Sequence, residues 1–193
     1  VTVKSSYASG TVTIVEDSTD PENIGGLVGK NSDGTVEQSN ATGDVNASNA
    51  TNVGGLIGYS KAETSSGGGG GRTVRETYAV GFVTGDENVG GLIGTNVDDT
   101  VVDSYSVGAV SGTTNVGGLV GNNTGSEAKV NRSYTAGSVS GVTNSGLVGT
   151  NENSATVVNS YWDTETTGQS SSAGGTGLTT RELEGDPAKT NTS

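Results

Sequence analysis

The chain has 193 residues and a net charge of −12, from 21 acidic and 9 basic side chains. Cysteine and histidine are both absent, which excludes disulfides, thiol catalysis, zinc–thiolate sites and the commonest general base. The acidic balance makes nucleic acid and anionic membranes poor partners, and no apolar run reaches the length that would insert this segment in a membrane.

From the N-terminus, each unit opens on a valine: Val3, Val36, Val74, Val101, Val130 and Val157. Four residues later stands a reference position held by Tyr7, Asn40, Tyr78, Tyr105, Tyr134 and Tyr161. A small hydroxyl residue precedes it each time (Ser6, Ser39, Thr77, Ser104, Ser133, Ser160). In the first five units a glycine follows three residues on, and a second valine two beyond that, as in Gly81 and Val83. An asparagine (Asn23, Asn52, Asn88, Asn115, Asn144) then leads into Gly-Gly-Leu-(Val/Ile)-Gly, which begins at Gly25, Gly54, Gly90 and Gly117 and degenerates to Ser145-Gly146-Leu147-Val148-Gly149. The leucines Leu27, Leu56, Leu92, Leu119 and Leu147 are 29, 36, 27 and 28 residues apart.

A repeat of this length dictates architecture before any single residue does. Each unit carries three short apolar, β-branched segments separated by Gly, Asn, Asp and Ser, residues that suit turns. The expectation is an all-β parallel β-solenoid of five to six coils, three short strands per coil and about 27 residues per minimal coil, since one such coil can bury its inner face only against its neighbours. A β-propeller blade needs about 40–50 residues, more than the shortest units offer. The valine and leucine columns, namely Val36, Val74, Val101, Val130 and Val157 with Leu27, Leu56, Leu92, Leu119 and Leu147, are the expected core. Asn31, Asn96, Asn123 and Asn151 read as an asparagine ladder at a corner. Insertions at 15–22 and 60–71, the second ending in Gly67–Gly71, read as surface loops.

Residues 1–168 are thus the repeat region. Residues 169–193 read as a Gln/Ser/Gly-rich linker and short C-terminal extension, continuing in a longer parent chain. Within them Thr179-Thr180-Arg181-Glu182 has the form of a capping box opening a short helix, stopped at Gly185-Asp186-Pro187. The chain begins at Val1 without a secretory leader, which reads as a processed or partial chain.

The Gly-Leu-(Val/Ile)-Gly element, the Ser-Tyr-Ala-x-Gly-x-Val-x-Gly stretches around Tyr78–Gly85 and Ser104–Gly112, and the closing Ser160-Tyr161-Trp162-Asp163-Thr164 through Gly177 resemble the GLUG-motif repeats over nearly the whole chain. Asn40 in place of tyrosine and Ser145 in place of the usual glycine depart from the pattern. The resemblance implies a right-handed parallel β-helix in large secreted or surface proteins of bacteria and archaea, including adhesin-like proteins. It carries no catalytic residue.

Four groups are candidate sites. Tyr78, Tyr105, Tyr134 and Tyr161 form either an outward strip for binding sugars or partner side chains, or a half-buried stack that supports the coil; strand parity points them outward, and aggregation risk favours the stack. Glu76, Asp103 and Arg132 form an outer charge column. The two carboxylates could serve a retaining glycosidase, but a surface ion ladder is the simpler reading. Acidic turns (Glu16-Asp17 with Asp20, Asp86-Glu87, Asp98-Asp99) read as solvated pairs, because calcium needs six or more oxygens from a fixed loop; no metal and no cofactor are expected. Glycosylation sequons stand at Asn40, Asn46, Asn49, Asn122, Asn131 and Asn191, no more than composition produces.

These readings converge on a non-catalytic extracellular rod, adhesive or structural, with an acidic halophilic surface. Its partners would be cell-surface glycans or proteins, or further copies in a fibre. A polysaccharide-active β-helix enzyme or its carbohydrate-binding appendage, and a virus tail fibre or receptor-binding spike of a halophilic host, are the alternatives.

Overall fold

In the computed structural model, residues 1–15, 18–63 and 72–185 are described. Glu16-Asp17, the Gly67–Gly71 run, the Asp186-Pro187 helix stop and Asn191 lie outside the described residues.

The repeated valines and leucines stack on one another, and that stacking makes the fold. Five parallel sheets run the length of the molecule. The coil beginning at Thr73 shows the unit: strands Thr73–Arg75, Tyr78–Ala79, Val83–Thr84, Glu87–Gly90 and Ile93–Val97, one in each sheet. The protein is a parallel β-solenoid of about five turns. Each coil has five short strands rather than the expected three. The stretches between the apolar segments, too polar to read as strands, are extended because each has an identical neighbour to pair with above and below.

Register is strict. Val3 pairs with Val36, Val36 with Val74, Val74 with Val101, Val101 with Val130 and Val130 with Val157, at intervals of 33, 38, 27, 29 and 27 residues. The length differences fall in connections and leave the ladders intact. The leucine file is equally regular: the Leu27, Leu56, Leu92 and Leu119 amides each donate to the next leucine carbonyl at 2.9–3.0 Å.

Two hydrophobic columns fill the interior. The larger joins the first-sheet valines, the leucine file and the Val/Ile residue after each leucine. The smaller joins Val45, Val83, Val110 and Val139 to Val53, Val89 and Val116. Val36, Val74, Val101, Val130, Leu56, Leu92, Leu119 and Leu147 are fully buried, whereas Val157 and Leu27, near the two ends, are half-buried.

The glycines of the signature set how closely the fourth and fifth strands approach. A Cβ on Gly54 would strike the Ile57 carbonyl and the Gly94 nitrogen; one on Gly94 would strike the Asn52 and Val53 backbone. Without side chains, the fourth strand of one coil lies backbone to backbone against the fifth strand of the next.

Three corner columns adopt the left-handed region at non-glycine residues. One is Ser5, Gln38, Glu76, Asp103, Arg132 and Asn159, with φ of 47–53°; a second is Asn23, Asn52, Asn88 and Asn115, with φ of 53–60°; the third includes Asp33, Asp98 and Asn153, with φ of 53–59°. Each costs on the order of 1 kcal/mol, and neighbouring coils hold it in place. After the first corner the amides of Ser6, Thr77, Ser104 and Ser133 donate to the hydroxyl of the next coil's Ser at 3.1–3.2 Å. Those hydroxyls in turn bond the carbonyl two residues earlier, as from Ser104 to Val102 at 2.8 Å. The conserved place of a hydroxyl before each reference position within this chain is thus a repair of the ladder at a turn.

Two asparagine ladders run in opposite senses. Asn96 donates up to Asn123 and Asn123 to Asn151, both at 2.7 Å, while Asn52, Asn88 and Asn115 each donate down to the preceding coil at 2.9–3.2 Å. In the first ladder Ser60 stands where an asparagine is missing. It accepts from Asn31 at 3.0 Å and donates to the Asp99 carboxylate at 2.7 Å.

The segment after Gly168, expected as a linker, is laid across the last coil. Ser171 accepts from the Gly146 amide, the Ser172 hydroxyl from the Leu147 and Val148 amides, and Thr176–Leu178 adds a seventh strand to the second sheet. Those last-coil amides have no further coil to pair with, and this polar stretch supplies their acceptors. Trp162 fills the C-terminal end of a column whose earlier members are Ala41, Ala79, Ser106 and Thr135, its ring over Gly146 and its Nε1 donating to the Gln169 carbonyl at 2.9 Å. Asp163 caps the short helix Thr164–Thr167, and the expected capping box of Thr179 and Glu182 opens Thr180–Leu183. Burial pushes the Asp163 carboxyl up, but hydrogen bonds from Thr180 and the Glu165 and Thr166 amides outweigh it and hold it below its ordinary range.

Candidate functional site

The outer side of the second sheet is where the expected tyrosine column lies. From Thr77 to Val83 exposure alternates without a break: Ala79, Gly81 and Val83 point inward, while Tyr78, Val80 and Phe82 face out. The coil beginning at Thr100 repeats the pattern with Tyr105 and Val107 outward, and the next with Tyr134 and Ala136. Parity in the sequence therefore gave the correct direction.

The rings of Tyr78 and Tyr105 stack at 5.1 Å between centroids and 6° between planes; Tyr105 and Tyr134 follow at 5.2 Å and 11°. Both faces of Tyr105 are thus covered by its neighbours, and its edge points outward. Burial, with Tyr134 and Tyr78 beside it, raises its hydroxyl above the ordinary tyrosine value. A sugar-stacking platform needs open ring faces, which this arrangement does not offer at its centre. Tyr161 continues the column but is outside the stack.

Phe82 is 59% exposed, Val107 41%, Tyr134 40% and Val80 37%, so the outward residues of these three coils form one apolar patch. The sequence reading missed Val80, Phe82 and Val107. The signal was present: at the same positions the first two coils carry Ser9 and Thr11, then Thr42 and Asp44.

A charged border flanks the patch. Arg132 grips Asp103 through two bonds, Nε to Oδ1 at 2.7 Å and a second guanidinium nitrogen to Oδ2 at 2.6 Å, and this holds the Asp103 carboxyl below its usual range. Glu76 accepts from Gln38 at 2.9 Å and meets Arg75 at 3.5 Å. The expected column of Glu76, Asp103 and Arg132 therefore splits: Arg132 closes on Asp103, and Glu76 turns to the preceding coils. A retaining glycosidase pairs an acid of raised pKa with an ionised nucleophile; Asp103 is not that acid, and Arg132 occupies both its oxygens. Beside them Glu37 bridges Lys4, at 2.8 Å, and Arg75, and the Lys4 contact foremost holds its carboxyl low.

Among the described residues, Asp99 is the one acidic group shifted far upward. Burial raises it to about 6 against hydrogen bonds from Ser60 and the Thr100 amide. Because Ser60 spends its single proton on Asp99, the Asn96 Oδ1 above it is buried without a partner. Among the described residues, no three Asp, Glu, His or Cys side chains gather as a metal site.

Of the sequons, Asn46 and Asn49 are exposed; Asn40, Asn122 and Asn131 are half-buried, and the last two have buried amide oxygens. No helix among the described residues is long and apolar enough to cross a membrane.

A stack of in-register coils built on Gly-Gly-Leu-(Val/Ile)-Gly, with a patterned outer face, defines a repeat solenoid. The chain is a parallel β-solenoid, and the model of the GLUG motif matches its residues 20–46, one of five units that pair in register. A relative named "Putative Gly-rich membrane protein", from Evansella cellulosilytica, is 41% identical over 88 residues, 46% of this chain and 9% of that protein. The chain thus spans less than a tenth of that relative. No solved structure matches.

Proposed function

We propose that this solenoid is a non-catalytic structural rod of the cell surface, and that it adheres through the apolar patch on its third to fifth coils. The observation that carries this reading is the concentration of Phe82, Val107, Tyr134 and Val80 at outward positions around the bend between the second and third sheets, rimmed by ion-paired side chains. Exposed apolar clusters with polar borders mark interaction surfaces. The engagement of both Asp103 oxygens by Arg132 supports a display role over hydrolysis, and the name of the Evansella relative supports a surface setting.

The test is binding of the purified chain to isolated cell envelopes, with Val107→Asp as the variant. Val107 is outward, so the coil remains intact. Envelope binding should fall by about tenfold or more on burying a charge at the contact. Equal binding by both proteins, or glycan cleavage lost in Glu76→Gln or Asp103→Asn, would refute the proposal.

A further inference from the structure

The patch is widest on three consecutive coils, with Tyr161 of the next coil continuing its tyrosine column, and those three have a centre. Coil three presents Val80 and Phe82, coil four Val107, and coil five the smaller Ala136 and Ser138. The left-handed corner column beside it carries Glu76 on coil three, Asp103 on coil four and Arg132 on coil five. Size and charge therefore run in opposite order across coil four: large residues and a carboxylate on one side, small residues and a guanidinium on the other.

We infer that the partner of this face is a second copy of the same chain, packed antiparallel about a two-fold axis through Tyr105. This rests on the reading above that the face is the contact surface, and it names the occupant. A two-fold axis lying along the strand direction exchanges coil three with coil five and keeps each column opposite itself. Phe82 then faces Ser138 of the other copy, Val80 faces Ala136, and Val107 and Tyr105 meet their own equivalents. Glu76 faces Arg132 at both ends of the contact. Both side chains have surface to spare, 46% and 56% exposed respectively, beyond their bonds within the chain. A parallel packing, about an axis along the rod, reverses the order of the columns and sets Phe82 of one copy against the Glu76 corner of the other, losing both matches.

The patch is only about 15 Å tall at 4.8 Å per coil, smaller than the roughly 800 Å² per partner of a stable interface. Net charges of like sign on the two copies also repel. The pairing is accordingly a weak one, in the transient class.

The test uses the full chain. Sedimentation should show a concentration-dependent dimer that Val107→Asp abolishes. Glu76→Arg and Arg132→Glu should each weaken it about tenfold, and the double reversal E76R/R132E should restore it, with circular dichroism confirming that each variant folds. The chain has no cysteine of its own, so Tyr105→Cys should cross-link to itself under mild oxidation. Phe82→Cys should link to Ser138→Cys in a mixture, and neither should link efficiently to itself. A monomer at every concentration, no rescue by the double reversal, or no Tyr105 self-link overturns the inference. If a monomer still binds envelopes and loses that binding in Val107→Asp, the dimer alone falls and the contact-face reading stands. If that binding is also indifferent to Val107→Asp, both fall.

Discussion

The first coil and the last coil have the same kinds of residue and are finished differently. At the C-terminal end Trp162 is only 6% exposed, and Ser171, Ser172 and Ala173 occupy the bonds a further coil would take. At the N-terminal end Val3, Ala8, Val12, Ile24, Leu27 and Val28 are half-buried, although their equivalents in the second coil, Val36, Ala41, Val45, Val53, Leu56 and Ile57, are all fully buried. A solenoid residue is therefore not buried by its own coil. It is buried by the coils on either side, and stability along the rod follows from nearest neighbours.

Trp162→Ala should be the most damaging single change, at about 3–5 kcal/mol, because it empties the plug and frees the strap bonded to it; thermal or denaturant unfolding measures it. Leu92→Ala, in a complete coil, should cost about 2–5 kcal/mol. Leu27→Ala should cost markedly less, since part of that side chain already meets water. Equal losses at the two leucines would break the contrast between ends and middle.

Asp99 separates the middle from the ends in another way. Its folded pKa of about 6 exceeds the ordinary aspartate value of 3.8, so folding favours its neutral form. The penalty for its charge is fully present above pH 6 and is relieved as pH falls toward 4, a contribution of about 3 kcal/mol or less. Asp99→Asn should therefore stabilise the protein at pH 7–8 and flatten the pH dependence of unfolding between 4 and 7. Smaller still, Ser172→Ala should cost about 1 kcal/mol, and its effect should be confined to hydrogen exchange at the Leu147 and Val148 amides.

The repeat, its register and both core columns were legible because stacking aligns like with like: Val36 pairs with Val74, and Ile57 with Ile93. The outward direction of Tyr78 followed from parity with Val83. What escaped had a partner the sequence does not mark. Glu76, Asp103 and Arg132 have no turn preference in common, yet all three take the same left-handed corner, because the coils around them over-determine it. Ser60 and Asp99 jointly replace one missing asparagine from 39 residues apart. The stretch 169–178 has linker composition, and only the open amides of the last coil give its serines a role. The five strands per coil were hidden for a similar reason: two-residue strands such as Tyr105–Ser106 exist because of the strands above and below them.

The locked last coil has a mechanical consequence. A load applied along the rod would find its firmest hold at that turn, where Trp162 and the strap of Ser171 to Ala173 close the stack. Each turn that came away would replace a rise of about 4.8 Å with roughly 90 Å of extended chain from some 27 residues. Under tension such a molecule would lengthen in sequential steps, releasing slack while the remaining turns kept their shape.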